Sequence, residues 1–406
     1  MEEWKSYKLS DVAFLSTGFP FDGHKYAKEG IRVVRGDNVT IGSLRWDSDK
    51  DKRWSEPFSR ADEYTLQDGD IVIGMDGSRV GKNRAQVNAT DLPLLLAQRV
   101  ACIRHNEKSC QEFLFYQIFS ERFVEYIKSV QTGTSIPHVS LKQIGDFPIQ
   151  MPPIEEQVRI AKILRSLDNK IALNLRINHN LEEQAQVLYK SYFVDFEPFK
   201  DGKFVDSELG MIPEGWRVAE LGTVTRQSSQ KVKDRIDVKV LSPVTTGELV
   251  LSEEYFTKQV FSESISKYIV VKPLHFAYNP ARVNIGSIGM NMFSFDGCVS
   301  PVYVVFECEK GYHHFFDYYR KTASFKDEVL NRAIGGVRQT LSYKDFALIK
   351  LVYPPYDIVE KFNCIYAGLL ENKNSIKREI SKLSELRDTL LPKLLSGELK
   401  INDLTC

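Results

Sequence analysis

The sequence lacks the features by which metal-binding, secreted and membrane proteins are most easily identified. Its six cysteines include no CxxC pair, and together with the seven scattered histidines they show no zinc-binding spacing. It has no run of about 18 apolar residues that would predict a transmembrane helix. The N-terminal segment is polar and contains no apolar signal core. These absences lead us to expect a reduced, cytoplasmic protein without a structural metal.

An excess of charge of either sign is also lacking. Lysine and arginine together number 54, and aspartate and glutamate also number 54. A neutral chain is not expected to bind nucleic acid strongly and non-specifically by itself, although local basic surfaces remain compatible with neutrality. With 406 residues, 43% of them hydrophobic, the chain is long enough for two domains with separate cores.

The clearest positive feature is an internal repeat. The diproline Pro152-Pro153 aligns with Pro354-Pro355, and this offset of 202 residues persists through the apolar-patterned segment that follows each pair. A weaker match relates the segment that begins at Trp4 to the one that begins at Trp216. Self-similarity of this kind indicates a repeated structural unit. The sequence therefore predicts two copies of one plan, each a globular part followed by a diproline and a long helix.

Each diproline predicts the entrance of a long helix, because proline is tolerated in the first turn. Apolar residues then recur at alternating spacings of three and four, which is typical of a heptad seam. Asn174 and Asn178 lie on the stripe of the first helix, and Asn372 and Glu379 lie on that of the second. Each helix should span roughly 35–40 residues, or ~55 Å. Such a stripe favours pairing of the two helices with each other. The predicted helix seam consists of Ile160, Leu164, Leu167, Ile171, Leu181 and Leu188 in the first helix and Phe362, Ile365, Leu369, Ile376, Leu383 and Leu390 in the second.

The segments around the helices predict mixed α/β structure. Short β-branched runs bounded by Gly, Asp, Asn or Pro alternate there with amphipathic helical patterns. The predicted fold is therefore two α/β (α+β) domains in tandem, separated by two long helices that form an antiparallel coiled coil, with a pseudo-twofold internal repeat. The predicted boundaries are 1–150 for the first domain, 151–193 for the first helix, 194–215 for a linker, 216–351 for the second domain, and 352–406 for the second helix and the C-terminal tail.

Three stretches carry a family resemblance. They are MPPIEEQVRIAKILRSLDNKI (151–171), YKSYFVDFEPFKDGKFVDSELGMIPEGW (189–216) and LLPKLLSGEL (390–399). They resemble the shared segments of the DNA specificity (S) subunit of a type I restriction–modification system, and the resemblance extends over the whole chain. The second helix departs from the usual PPxxEQ entrance, with PPYDIVE in its place.

The resemblance implies a non-catalytic subunit of a methyltransferase and endonuclease complex. The two globular parts would be target-recognition domains, each reading one half of a bipartite site on double-stranded DNA. The two helices would set the spacing of the half-sites and dock two methyltransferase subunits. S-adenosylmethionine would then belong to those subunits, and ATP and Mg would belong to the motor–nuclease restriction subunits. This chain would hold no cofactor and no metal.

We expect the DNA contacts to come from polar and basic residues between the β-runs. Arginine can donate two hydrogen bonds to guanine, and asparagine or glutamine can pair with adenine, whereas lysine mainly contacts phosphate. For each candidate an ordinary solvated surface position is the alternative. The candidates in the first domain are Arg35, Asn38, Arg79, Lys82, Arg84, Ser135 and His138, and those in the second are Arg226, Gln227, Lys231, Lys233, Arg282, Asn284, Arg338 and Gln339.

The stretch TGTSIPHVS (132–140) raises the possibility of a serine–histidine catalytic site. At the repeat offset, however, Ser135 is replaced by valine and His138 by threonine, whereas Gly133 is kept. A shared glycine permits a positive φ or a close backbone approach. The comparison favours a tight loop near DNA, with no catalytic residue in either copy.

Two other functions remain open from the sequence. One is a non-catalytic antiparallel coiled-coil scaffold that binds two protein partners. The other is an adenine methyltransferase or nuclease fused to a recognition domain, suggested by YNPA (278–281), YPPY (353–356) and FECEK (306–310). These stretches lack the full methyltransferase or nuclease motif, and no glycine-rich cofactor loop follows a strand.

Overall fold

The computed structural model describes residues 4–401 except 59, 134, 257, 259–260, 263 and 334–339. Its contacts divide the chain into two compact units. Unit 1 consists of Met1–Leu175 and Arg378–Cys406, and unit 2 consists of Arg176–Lys377. Both long helices therefore contribute one part to each unit. In the part of the chain that the structure describes, no helix is long and apolar enough to cross a membrane.

Unit 1 has a mixed α/β structure. Its strands are β1 (Lys5–Lys8), β2 (Ala13–Thr17), β3 (Ile31–Val34), β4 (Arg53–Trp54), β5 (Ile71–Gly74), β6 (Arg84–Gln86), β7 (Leu94–Leu96), β8 (Val100–His105) and β9 (Pro148–Met151). Its helices are α1 (Leu9–Val12), α2 (Gln111–Phe119), α3 (Glu121–Val130), α4 (Leu141–Gly145) and the first part of α5 (Ile154–Phe193), with short 3-10 helices at Gly23–Lys25, Gly36–Asn38, Ala61–Tyr64 and Ala89–Asp91. The strands β2, β8, β5 and β6 form an antiparallel sheet in that order. A second sheet has the order β4, β3, β7, with β3 and β7 parallel.

The core of unit 1 explains why these segments fold. Every residue of β5 is buried, as expected for a β-branched run in the interior of a sheet. The fully buried rings of Phe113, Phe123 and Phe147 belong to the same hydrophobic cluster as the strand residues Ile71 and Ile73. This cluster joins the antiparallel sheet to the helices that follow it.

Unit 2 also has a mixed α/β structure. Its strands are β10 (Phe204–Val205), β11 (Ile212–Pro213), β12 (Arg217–Glu220), β13 (Thr225–Ser228), β14 (Lys239–Pro243), β15 (Leu249–Leu251), β16 (Ile269–Val271), β17 (Phe276–Tyr278), β18 (Ile288–Met290), β19 (Gly297–Val299), β20 (Val304–Cys308) and β21 (Lys350–Tyr353). Its helices are α6 (Leu221–Val224), α7 (Ser252–Tyr255), α8 (His313–Tyr319), α9 (Ala323–Arg332), α10 (Tyr343–Phe346) and part of α11 (Tyr356–Ser396), with 3-10 helices at Glu197–Phe199 and Val283–Ile285. One sheet has the order β13, β20, β17, β18, and another has the order β15, β14, β19, β16.

The two units share a strand arrangement. The antiparallel order β2, β8, β5, β6 in unit 1 corresponds to β13, β20, β17, β18 in unit 2. In each unit a further antiparallel pair precedes the long helix: Lys5 pairs with Met151, and Arg217 pairs with Tyr353. When the two copies are aligned in the sequence, Lys5 corresponds to Arg217 and Met151 corresponds to Tyr353. The local pairing of unit 1 is thus repeated in unit 2.

The long helices begin where the sequence predicts. The first residue of α5 is Ile154 and that of α11 is Tyr356, and each follows directly on a diproline. The helices contain 40 and 41 residues, respectively. Proline lacks a backbone N–H, and the first N–H groups of a helix have no intrahelical acceptor, so the diproline costs little at this position.

Within unit 1, the two helices run in opposite directions. The side chain of Asn174 donates a hydrogen bond to Glu379 Oε2 at 2.9 Å, and Asp168 Oδ1 accepts one from Arg387 Nη1 at 3.1 Å. A later residue of α5 therefore meets an earlier residue of α11. Asn174 is buried, which makes it and Glu379 a polar contact inside an otherwise apolar stripe, as their positions on the predicted seam suggested.

Within unit 2, aromatic rings join the other ends of the helices. Phe362 is fully buried, and its ring centroid lies 5.1 Å from that of Phe193 and 5.8 Å from that of Tyr366. Nearer the middle of the helices, Glu182 of α5 forms an ion pair with Lys373 of α11. The direction of pairing is again antiparallel.

The structure corrects one member of the predicted seam. Ile365 has an exposed fraction of 47%, and Asn372 on the predicted stripe is also exposed. Because an α-helix has 3.6 residues per turn, the residue that follows Phe362 on the inner face is Tyr366, which is buried. The remaining predicted seam residues are buried in the case of Ile160, Leu164, Ile171 and Phe362, and partly buried in the case of Leu167, Leu181, Leu188, Leu369, Ile376, Leu383 and Leu390.

The difference between Phe362 and Ile365 predicts a measurable difference in stability. Phe362→Ala should lower the free energy of unfolding by about 3–5 kcal/mol, because it leaves a cavity among aromatic rings. Ile365→Ala is the matched control and should change it by less than ~0.5 kcal/mol, because the side chain is exposed. Urea unfolding of both variants measures the effect. Equal losses would mean that Ile365 belongs to the buried face.

Candidate nucleic-acid interface

A cleft of about 820 Å³ opens on unit 1 at the ends of several strands. Four arginines and two aspartates line it, so that its lining carries more positive than negative charge. Aromatic side chains form part of its wall. The lining residues are Phe19, Pro20, Phe21, Tyr26, Arg35, Gly36, Asp37, Val39, Thr40, Arg45, Asp76, Gly77, Ser78, Arg79, Asn83, Ala97, Gln98, Arg99 and Ile136. A basic, partly aromatic surface of this kind is suited to nucleic acid.

Two arginines predicted from the sequence line this cleft. The guanidinium of Arg35 lies over the ring of Tyr26, at 5.6 Å from its centroid, and 4.0 Å from the carboxylate of Asp37. Arg79 is exposed in the turn between β5 and β6. Lys82 is exposed in the same turn, where its amide donates to the Arg79 carbonyl at 2.9 Å. The structure thus brings Arg35 and Arg79 together at one surface and places Lys82 beside it.

The predictions for Asn38 and Arg84 are corrected by the structure, because both side chains are buried within the fold. The Asn38 amide donates to the carbonyls of Arg45 and Lys50, at 3.1 and 3.0 Å, and its Oδ1 accepts from the Arg35 amide at 3.0 Å. These bonds fix the loop that carries the cleft arginines.

The Arg84 side chain also lies in the interior of unit 1. Its guanidinium donates to the carbonyls of Gly81 and Phe119, the latter at 2.9 Å, and lies 5.2 Å from the centroid of the Phe119 ring. Burial lowers the pKa of Arg84. A side chain with these partners holds the β5–β6 turn against the adjacent helix and is not available to a nucleic acid.

Residues 132–133 and 135–140 lie in a closed loop beside the cleft. The backbones of Thr132 and His138 exchange two hydrogen bonds, at 2.9 and 2.7 Å. Gly133 has a φ of +89°, and a Cβ atom at this position would lie 2.4 Å from the Ile136 carbonyl oxygen. The kept glycine is therefore a requirement of the tight turn. At the tip of the loop Ser135 is exposed, and Ile136 has an exposed fraction of 68%.

His138 has a partner other than serine. Its Nδ1 atom forms a hydrogen bond with Asp76 Oδ1. Within the described residues, no hydrogen bond joins the histidine ring to Ser135. This hydrogen bond holds the loop against the end of β5. It does not place the histidine ring as a general base for a serine nucleophile.

The candidate residues of unit 2 lie on three separate segments. Arg226 and Gln227 are exposed on the edge strand β13, and Lys231 and Lys233 are exposed in the loop that follows it. The remaining candidates lie elsewhere. Arg282 is exposed and Asn284 is half-buried in the turn between β17 and β18, while Arg338 and Gln339 lie outside the described residues. The β17–β18 turn occupies the same place in its sheet as the β5–β6 turn, which carries Arg79, does in unit 1.

Two of the three sequence stretches that suggested catalysis have structural roles. In YNPA, Asn279 Oδ1 accepts from the amide of Ala281 at 3.0 Å, which is a local turn, and Tyr278 is fully buried. In YPPY, the Pro354 carbonyl accepts from the Tyr312 hydroxyl at 3.0 Å. Among the described residues, no group of three or more His, Cys, Asp or Glu side chains could hold a metal ion, and FECEK forms none.

A charged network holds the helices of unit 2 to the end of α8. Glu182 on α5 accepts from Lys321 Nζ at 3.0 Å and also pairs with Lys373 on α11. Burial by itself raises the pKa of Glu182, but the two lysines outweigh it and lower the pKa to about 2. Lys321 lies beside Arg320, whose guanidinium donates to the carbonyls of Gly247 and Ile288. The network thus connects the helix pair to loops of the second globular part.

The comparisons with known proteins agree on one family. The model of the type I restriction modification DNA specificity domain matches residues 1–183. The MjaIX specificity subunit of a type I restriction enzyme from Methanocaldococcus jannaschii is 27% identical over 323 residues, which cover 77% of this chain and 74% of that protein. The HindI specificity subunit from Haemophilus influenzae is 24% identical and is matched over its full length by 98% of this chain. The chain is thus similar to the specificity subunits of type I restriction enzymes.

A solved structure has the same fold as this chain. The S subunit of a type I restriction–modification system from M. genitalium aligns with 97% of this chain and 96% of its own, with a TM-score of 0.60 and 17% sequence identity. At that identity the likeness shows the shared fold.

Residues that the sequence analysis missed also line the cleft of unit 1. Arg45, Gln98 and Arg99 are all exposed there. The signal for two of them was present in the sequence: Gln98 and Arg99 form a polar interruption between the apolar runs LLLA and VACI. A two-residue polar break of this kind is typical of a turn between strands.

The buried position of Asn38 predicts a structural phenotype. Asn38→Ala should lower the free energy of unfolding by about 2–3 kcal/mol, because it leaves buried backbone groups without partners. Asn180→Ala is the control, since Asn180 is exposed, and should change stability by less than ~0.5 kcal/mol. Urea denaturation measures both. If the Asn38 variant has unchanged stability and an altered DNA preference, Asn38 belongs to the DNA interface and the correction is wrong.

Proposed function

We propose that this chain reads a bipartite site on double-stranded DNA for a type I restriction–modification complex. The region 1–150 would read one half-site, and the region 216–351 would read the other. The observation that carries the proposal is the arginine-lined cleft of unit 1 in a chain of the specificity family. Each region is a target-recognition domain in this proposal.

The cleft of unit 1 offers both kinds of contact that a recognition domain needs. Arginine side chains can pair with base edges, whereas exposed lysines and arginines on turns can contact phosphates and fix the register on the duplex. Arg79 and Lys82 on the exposed β5–β6 turn suit the second role. Ser135 and His138 lie in the loop beside the cleft, where the proposal makes them neighbours of the DNA.

In unit 2 the proposed interface is built from the corresponding elements. Arg282 and Asn284 lie on the turn that matches the β5–β6 turn of unit 1. Lys231 and Lys233 lie in a separate exposed loop. Arg226 and Gln227 extend along the edge strand β13. The shared strand order of the two units is what supports assigning them the same task on two half-sites.

The two long helices would set the spacing and dock the partner subunits. The antiparallel contacts within each unit support a continuous antiparallel coiled coil, and the repeated strand order supports a pseudo-twofold repeat. Docking of two methyltransferase subunits is supported by apolar side chains on the outer faces of the helices. Val158 and Leu173 on α5 are 48% and 44% exposed, and Val187 is 67% exposed.

Catalysis would belong to the partners. The methyltransferase subunits would bind S-adenosylmethionine, and the motor–nuclease restriction subunits would use ATP and Mg. This chain would act in the cytoplasm as the non-catalytic subunit, supplying recognition and assembly.

Methylation mapping tests this function. The chain is co-expressed with its methyltransferase subunit, and modified adenines are mapped across a genome by sequencing. We expect one split motif, with two short half-sites around an unspecific gap of fixed length. If a methyltransferase that is active with another specificity chain gives no methylation with this one, the function is wrong and a protein scaffold becomes the better reading.

The length of the helices predicts the length of the gap. Seven residues added in register to both helices lengthen each by ~10 Å, or about three base pairs of duplex. Both half-sites should stay the same while the gap in the mapped motif grows by about three base pairs. A two-residue addition to each helix is the control, because it rotates the apolar stripe by about 200° and should abolish methylation. A change in the half-site sequences would contradict the spacer role.

A further inference from the structure

We infer that Arg99 reads a guanine in the half-site bound by unit 1, and that Asp76 and His138 position its guanidinium. This inference rests on the proposed function and deepens it, because it assigns one base to one residue. The turn before β8, the end of β5 and the loop 132–140 meet at one edge of the cleft. The sequence does not show that these three segments lie together.

The turn that carries Arg99 is held by backbone hydrogen bonds on both sides. The amide of Gln98 donates to the Phe19 carbonyl at 3.0 Å, and the Arg99 carbonyl accepts from the Met75 amide at 3.2 Å. The turn joins β7 to β8, and both strands lie within sheets. A side chain on a turn fixed in this way starts from a defined backbone position, as base reading requires.

The carboxylate of Asp76 directs the Arg99 side chain. Asp76 Oδ2 forms an ion pair with Arg99 Nη1 at 3.4 Å, while 68% of the Arg99 side chain is exposed. An exposed ion pair contributes little to the free energy of folding. The effect of this pair is to orient the guanidinium of Arg99. With Nη1 directed at Asp76, the Nε–Nη2 edge of the guanidinium faces away from this carboxylate. That edge carries two parallel donors, which can bond guanine O6 and N7.

His138 in turn holds Asp76. Its Nδ1 atom is hydrogen-bonded to Asp76 Oδ1, the oxygen that Arg99 does not use. Because an ionised carboxylate has no hydrogen to donate, Nδ1 carries the hydrogen in this contact. The backbones are also joined: the Gly77 amide donates to the Pro137 carbonyl at 2.9 Å, so the loop and the end of β5 are fixed to each other.

The other three arginines of the cleft are placed differently. Arg45 has a less exposed side chain, at 47%, and its Nε atom is engaged by the Asp37 carbonyl at 3.1 Å and by the carboxylate of Asp47 at 3.8 Å. Arg35 lies over an aromatic ring, with only 26% of its side chain exposed. For Arg79, no side-chain partner is found in the described part of the chain. Of the three cleft arginines that pair with a carboxylate, Arg99 has the most exposed side chain and the shortest ion pair.

Guanine is the base that fits this donor pair. In the major groove, guanine O6 and N7 both accept, whereas adenine presents a donor in place of one acceptor. Replacing guanine at this position should therefore weaken recognition by roughly 10- to 100-fold. Lysine at the same place would keep the charge but lose the fork of donors.

The test uses the full chain with its methyltransferase subunit and compares methylation rates on duplexes that carry each base pair at each motif position. Arg99→Gln should reduce the preference for guanine roughly 10- to 100-fold at one position of one half-site and leave the other half-site unchanged. Arg99→Lys should retain much of the overall rate while losing the same preference.

Asp76→Asn and His138→Gln test the positioning roles. Each should reduce the preference at the same single position, with a smaller effect than the Arg99 variants, and leave the other positions unchanged. A purely structural role would instead weaken every position together and lower the melting temperature.

Two arginine variants serve as controls. Arg60 has the same exposed side-chain fraction as Arg99, 68%, and is likewise paired with a carboxylate, but it does not line the cleft. Arg60→Gln should leave the motif and the rate unchanged. Arg79→Gln should weaken methylation at all sequences alike, as loss of a phosphate contact does.

The outcomes separate this inference from the function on which it rests. A wild-type chain that yields no split motif overturns the proposed function. A wild-type chain that yields the motif, with an Arg99→Gln variant that folds and keeps every base preference, overturns the inference alone. So does an Arg99→Lys variant that behaves like the wild type, because a point charge would then suffice.

Discussion

Burial of the apolar stripes on α5 and α11 is the constraint on which the rest of the structure depends. Neither helix can leave a stripe of about 40 residues in water, and each unit covers part of both. In unit 1 the stripe residues Ile160 and Leu164 join the core beneath the antiparallel sheet. In unit 2 Phe362 joins an aromatic core with Phe193. The helices are thus part of each globular core as well as partners of one another.

Polar groups within these stripes give the pairing a defined register. The contact of buried Asn174 with Glu379 and the ion pairs of Glu182 leave hydrogen-bonding groups without partners if the helices slide past each other. An apolar seam alone tolerates such sliding better. For a chain whose proposed task includes setting a distance on DNA, a fixed register has a direct functional value.

The proposed DNA-binding surface combines a rigid framework of strands with exposed turns. Strands β5 and β7 of unit 1 are wholly buried and β8 is mostly buried, and the cleft is lined by residues of the turns next to them. Buried polar side chains such as Asn38 hold these turns from within, so that exposed side chains such as Arg99 start from fixed positions. Loops on a rigid scaffold are where binding residues are most often found.

The sequence predicted the helix entrances, the mixed α/β class and most of the buried seam, because these follow from proline stereochemistry and from the periodicity of apolar residues. It also predicted Arg35 and Arg79 as residues on exposed turns or loops, but it did not distinguish them from Asn38, since polarity in a sequence does not reveal whether a side chain faces inward.

What the sequence by itself determined is therefore the local plan, repeated twice along the chain. Only the tertiary structure decided which polar residues are buried, that Tyr366 replaces Ile365 on the inner face, and that Asp76, Arg99 and His138 meet. These three residues come from separate segments, and their proximity results from strand pairing and loop closure between them. Contacts between distant segments depend on how whole elements pack, which no short stretch of sequence encodes.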